Sequence, residues 1–200
     1  MSADSAIMHP GSKVLALRAV AQDPATNQTV TNLQVYNLET KAKVKACVMT
    51  DQIVFWKWVS NKTIGIVTAA SVFHWDMDGD PAAAPVKVFD RAPNLAGTQI
   101  ISYRLDPTGK WSTVIGIAPG PAEKPQLIQG KMQLYSFERQ QSQPLDAHCA
   151  AFSQVKLQAS KGGRAHPGCC CQRRFRAVAG QGVVLASDRG PYSFLFFFST

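Results

Sequence analysis

Charge is scarce in this 200-residue chain: 17% of residues are Asp, Glu, Lys or Arg, against 46% hydrophobic. That balance excludes a disordered polypeptide, which lacks the apolar residues to build a core. Long apolar runs are missing too. None approaches the ~20 residues a membrane helix requires, so no membrane span is expected. The opening stretch MSADSAIMHPGSK has no basic segment followed by an apolar core, and no secretory signal is read there. Cysteine is sparse and odd in number. Three of the five are consecutive (Cys169, Cys170, Cys171), which gives no disulfide framework and favours a reducing, cytoplasmic compartment. Gly-rich phosphate loops and the G-x-S-x-G motif are absent, and no segment sustains a 3.6-residue period with helix caps.

The net charge of +8 is unevenly spread. Residues 1–157 carry 15 Lys and Arg against 12 Asp and Glu, whereas residues 158–200 carry 6 against 1. Overall basicity would ordinarily point to nucleic acid or an anionic membrane. Here it describes an unusual tail rather than a basic binding face, and no nucleic-acid partner is expected for the first 157 residues.

What is present is a series of short strands. They are expected at Lys13–Val20, Leu33–Leu38, Val54–Trp58, Thr63–Thr68, Ser71–Trp75, Val86–Phe89, Gln99–Leu105, Trp111–Ile117, Lys131–Phe137 and Ala151–Leu157. Only Ala69 and Ala70 separate the fourth and fifth, which predicts a hairpin, and Asp106-Pro107-Thr108-Gly109 is a good turn. Three segments share one template of apolar, any, any, aromatic, polar, apolar, acid. They are Leu33–Glu39, Val72–Asp78 and Met132–Glu138. The first two copies are 39 positions apart, and the Pro-bearing stretch Ala118–Gln129 accounts for part of the longer second interval. A period of ~40–45 residues with four strands per unit is the mark of a propeller, and only about three units are present.

The words themselves resemble a known family. SADSAIMHPGSKVLAL, LQVYNLETKAKVKA, MTDQIVFWKWVS, VFHWDMDGD, PVKVFDR, LAGTQIISYR, KMQLYSFER and SQPLDAH are similar, in order, to the amino-terminal propeller of clathrin heavy chain. The resemblance runs from Ser2 to about Leu157. It makes the expected fold all-β: a partial, about three-bladed fragment of a seven-bladed WD40-like β-propeller, followed by an irregular tail. Residues 1–157 are the propeller part, and residues 158–200 are expected to be a divergent, disordered tail. The sequence that completes the family's first blade, and everything after about Leu157, are missing relative to the pattern. Light-chain binding and trimerisation are therefore expected only of the full-length parent.

The resemblance implies a structural, non-enzymatic coat component that needs no cofactor. It would bind adaptor proteins in vesicle-mediated intracellular transport and endocytosis, on cytoplasmic coated vesicles and pits, with membrane contact only indirect through the coat. In the family, acidic clathrin-box peptides of the form Leu-apolar-x-apolar-acid lie extended between the first two blades. The matching positions are Leu15, Gln34, Tyr36, Leu38, Lys41 and Lys43, with Leu15, Tyr36 and Leu38 as apolar walls. Lys41 and Lys43 alternate along KAKVK, which would place both on one face. The plainer reading makes Lys41, Lys43 and Lys45 the solvated face of an outer strand. A second family groove matches Gln99 and Ile101, its aromatic member lying upstream of Met1. A third matches Trp111, Leu134, Arg139 and Gln143, of which Trp111 and Leu134 equally suit core packing.

Other chemistry is thinner. His148, Cys149, His166 and the Cys169–Cys171 run suggest zinc, but adjacent cysteines do not supply the usual ligand spacing. Asp76, Asp78 and Asp80 suggest a calcium loop, but Lys87 stands where its terminal Glu should be, so a turn between strands is favoured. The tail run CCCQRRFR and the terminal FLFFF suit either a metal- or nucleic-acid-binding segment or a non-functional end to a truncated gene product.

Overall fold

The computed structural model describes residues 3–23 and 26–154, together with the backbone of Phe175–Arg176, Val183–Val184 and Ser193–Phe198. It is all-β, built from three four-stranded antiparallel sheets. The first contains β1 (Ser5–Met8), β2 (Val14–Gln22), β3 (Thr29–Asn37) and β4 (Ala42–Met49). The second contains β5 (Ile53–Trp58), β6 (Thr63–Thr68), β7 (Ser71–Asp76) and β8 (Val86–Asp90). The third contains β9 (Gln99–Leu105), β10 (Trp111–Ala118), β11 (Gln129–Ser136) and β12 (Gln141–Asp146). Each sheet is an up-and-down meander in which consecutive strands are neighbours, the form of a propeller blade. Beyond them, β13 (Cys149–Gln154) pairs with β16 (Ser193–Phe198), and β14 (Phe175–Arg176) with β15 (Val183–Val184). The expectation of a disordered tail falls otherwise on residues outside those described.

The sequence repeat has a structural cause. Its three copies lie on β3, β7 and β11, the third strand of each sheet. Its first apolar residue (Leu33, Val72, Met132) is fully buried in every copy. Its polar residue turns the chain: the side chains of Asn37, Asp76 and Ser136 accept hydrogen bonds from the amides of Glu39, Asp78 and Arg139 at 2.9, 3.0 and 3.3 Å. Its acid closes the preceding hairpin, because Glu39, Asp78 and Glu138 pair with Lys13, Lys62 and Lys110 at 3.1, 2.6 and 2.7 Å. The amide between, of Leu38, Met77 or Phe137, donates to the carbonyl of the same lysine. The template thus encodes one hairpin clasp three times.

The chain divides into two compact units between Tyr103 and Arg104, inside β9. In the first unit, alternation on the first sheet sends Ala16, Leu33, Val35 and Met49 to one face. They form a single core with Ile53, Trp56, Trp58, Ile64, Ile66 and Trp75 of the second sheet. Polar contacts fix this packing. The Trp56 indole donates to Ser5 Oγ at 3.1 Å, Arg18 donates to the Ile53 carbonyl at 2.9 Å, and His9 Nε2 lies 2.8 Å from the Asn61 carbonyl. On the far side of the second sheet, the Tyr103 ring lies over Gly65 and its hydroxyl is 2.6 Å from His74 Nε2. In the second unit, Ile115, Met132, Leu134, Ala147 and Ala150 form a separate core against Trp111, Leu145 and Phe152.

Most expected strands are present within a residue or two, including the β6–β7 hairpin. β1, β4, β12 and β14–β16 are not among the expected strands, β4 being foreseen only as the extended KAKVK segment. β1 is only four residues long, and β12 (QSQPLD) is polar, exposed and contains Pro144, which an edge strand tolerates.

Candidate functional site

The face of the first sheet opposite its core carries the expected peptide-binding residues. Ladder register places Met8 opposite Leu15, Leu15 opposite Tyr36, and Tyr36 opposite Lys43, one row across all four strands. A second row runs Ala6, Leu17, Gln34, Ala46. Beside the first row is a cavity of about 290 Å³ lined by Leu15, Leu17, Tyr36, Asn37, Leu38 and Lys41. Of the six expected residues, Leu15, Tyr36, Leu38 and Lys41 line it, Lys43 borders it through Tyr36, and Gln34 is reached through a hydrogen bond. The Tyr36 hydroxyl donates to Gln34 Oε1 at 2.5 Å, which leaves the Gln34 amide nitrogen free to donate.

Comparison of the repeats explains why the cavity is here. In the second sheet Trp75 is buried, and Phe73 and Met77 pack beside it against the core shared with the first sheet. The equivalent residues of the first sheet are Gln34, Tyr36 and Leu38. Tyr36 is only half-buried and Leu38 remains 45% exposed. The same strand face that is covered in the second copy is open in the first. The cavity therefore lies on the first sheet's outer side, away from the core shared with the second sheet.

The lysines are not arranged as strand alternation predicts. Lys41 is not in the strand; it ends the β3–β4 turn in the left-handed region, with φ of 54°. Between Lys43 and Lys45 the ladder slips by one residue, since Tyr36 pairs with Lys43 while Val35 pairs with Lys45. This bulge at Val44 sends the two lysines to opposite faces. Lys43 is exposed, whereas Lys45 is 3% exposed and donates to the Asp76 carbonyl at 2.7 Å. A single solvated lysine face is thus replaced by two outward cations and one buried strut. Lys41 and Lys43 have no ion pair among the described residues, unlike Lys13, Lys62, Lys87, Lys110 and Lys131.

Gln99 and Ile101 of the second expected groove are both exposed on β9. In the third set, Leu134 is buried in the core of the second unit and Trp111 packs against it. Arg139 is exposed in the turn after β11, and Gln143 stands exposed opposite Leu134 on β12. Asp76 and Asp80 accept hydrogen bonds from the amides of Asp78 and Ala82, and Asp78 is held by Lys62. These acids shape a turn. Among the described residues no group of three or more His, Cys, Asp and Glu could hold a metal ion. His166 and Cys169–Cys171 of the zinc reading lie outside the described residues.

Leu17 and Asn37 are cavity residues that sequence reasoning missed. Leu17 was available as the neighbour two positions from Leu15 on the same strand face, and Asn37 as the polar residue of the repeat.

Comparison with known proteins places the chain among one set of relatives. Over 157 residues, 78% of the chain, it is 51% identical to clathrin heavy chain 1 of Arabidopsis thaliana. It is 48% identical to probable clathrin heavy chain 1 of Caenorhabditis elegans over 157 residues, and 44% identical to clathrin heavy chain 2 of Homo sapiens over 158. The chain is a relative of clathrin heavy chain. It spans 8–9% of the length of these clathrin heavy chains. No family model matches it. Among solved structures, the β-propeller domain of the Trilobed protease from Pyrococcus furiosus aligns with a TM-score of 0.44 at 10% identity, over 100% of this chain and 59% of that one. Pyrococcus horikoshii acylaminoacyl peptidase aligns with a TM-score of 0.43 at 12% identity, over 72% and 25%.

Proposed function

We propose that the outer face of the first sheet binds short, extended peptides of the pattern Leu-apolar-x-apolar-acid. In this reading the chain is a non-enzymatic binding piece of a clathrin coat. Its partners are adaptor proteins that carry such peptides, and its place is the cytoplasmic face of coated vesicles and pits. The observation that supports it most is the row Leu15–Tyr36–Lys43 beside a cavity walled by leucines and ended by Lys41.

Each ligand feature has a counterpart. An extended peptide presents alternate side chains to one side, and the cavity offers them Leu15, Leu17, Tyr36 and Leu38. The free Gln34 amide donates to a peptide carbonyl. Lys41 and Lys43, both without acidic partners among the described residues, meet the acid at its end. A groove so open favours fast exchange and a Kd in the micromolar range or weaker, about −8 kcal/mol or less negative.

Calorimetric titration of the full chain with such a peptide tests this. Charge reversal in the double variant K41E/K43E is expected to weaken binding by about tenfold or more. An unchanged affinity removes the assignment.

A further inference from the structure

Lys41 is delivered to the cavity by a turn, and the side chain that holds the turn is Asn37. Its Oδ1 accepts from the amides of Glu39 at 2.9 Å and Thr40 at 3.3 Å. Both donors are backbone N–H groups, so the carboxamide orientation is fixed by chemistry. The four loop residues Leu38–Lys41 then link the Asn37↔Ala42 pair, with Lys41 forced to positive φ at the last position.

The third sheet repeats the device without the cation. There the Ser136 hydroxyl accepts from Arg139, the loop Phe137–Gln140 links the Ser136↔Gln141 pair, and Gln140 takes φ of 50°. A left-handed residue thus recurs at this place, but only the first sheet puts a lysine there. Glu39, the nearest carboxylate in the turn, is held 3.1 Å from Lys13. It is therefore drawn to the β2 side, and Lys41 keeps its charge for a ligand.

We propose that Asn37 is a positioning residue for Lys41, acting through the turn, and that it thereby sets the site's preference for an acidic ligand residue. This rests on the peptide-binding reading above and adds to it a residue and a mechanism. The test uses two peptides on the full chain, identical except that one ends in Asp and the other in Asn, with fluorescence anisotropy as the readout. The wild type is expected to favour the acidic peptide by about threefold to fivefold, the scale of an exposed charge pair. In N37A that ratio is expected to fall to the lower value that Lys43 alone supports. N37S, which supplies the acceptor used at Ser136, should restore it. K41G relaxes the left-handed position and removes the cation, so it should lower the ratio to the same value, and adding N37A should change it no further.

A full ratio in N37A, or a further change in the double variant, overturns this proposal while leaving peptide binding intact. Failure of both peptides to bind the wild type overturns the binding reading as well.

Discussion

Tyr36 stands opposite Lys43 in the β3–β4 ladder, although the preceding residue, Val35, stands opposite Lys45. One extra residue in β4 therefore separates two lysines that alternation would place side by side. Lys43 joins Leu15 and Tyr36 on the outer face. Lys45 enters the contact between the first two sheets and ties β4 to the end of β7 through the Asp76 carbonyl.

The two lysines should accordingly differ in what they contribute to stability. Replacing Lys45 by Ala removes a buried charged hydrogen bond and orphans a carbonyl, with an expected loss of about 2–3 kcal/mol. Replacing Lys43 by Ala should change stability by less than about 0.5 kcal/mol. Urea denaturation of the two variants compares them directly. Equal effects would show that the bulge does not sort them.

Gly65 is required by close approach rather than by backbone angle. A Cβ there would come within 2.5 Å of the Tyr103 ring and 2.7 Å of Val59. Gly65→Ala is expected to cost about 1–3 kcal/mol through overpacking, measured as a lowered urea midpoint with an unchanged slope. A neutral outcome would mean that Tyr103 does not cover this strand.

His74 should make stability fall in mild acid. Burial pushes its pKa below the ordinary imidazole range, and the nearby Asp76 carboxylate only partly offsets this. The unfolded chain therefore takes up the proton first, at about pH 6.5. The stability His74 contributes is complete above that pH and is lost as pH falls through its lower folded-state value. Urea midpoints at about pH 7.5 and about pH 5.5 should drop more in the wild type than in H74Q. Parallel drops would contradict it.

The strands that carried the repeat were readable because Leu33, Val72 and Met132 must all be buried, and burial leaves a pattern in the sequence. β12 left none: QSQPLD is almost wholly exposed, with Ser142 and Asp146 bonded across to Gln133 and Lys131 of β11 and Leu145 its single partly buried apolar residue. The bulge at Val44 was equally silent. Nothing in KAKVK marks a slipped register, and lysine is so seldom buried that Lys45 reads as surface. KAKVK reads as one extended segment from Lys41, whereas Asn37, the polar residue of the repeat, ends β3 and holds a turn that runs through Lys41. Most residues of the proposed site could be named from their types and order. Its geometry depended on one bulge and one turn.

The peptide face itself is tested most directly by methyl-resolved NMR of the full chain titrated with an acidic Leu-apolar-x-apolar-Asp peptide. The expected result is that methyl signals of Leu15, Leu17 and Leu38 shift with a common saturation curve while those of Ile64, Ile66 and Val67, buried in the second sheet, stay in place. Shifts confined to other leucines and valines, or none at millimolar peptide, would contradict it.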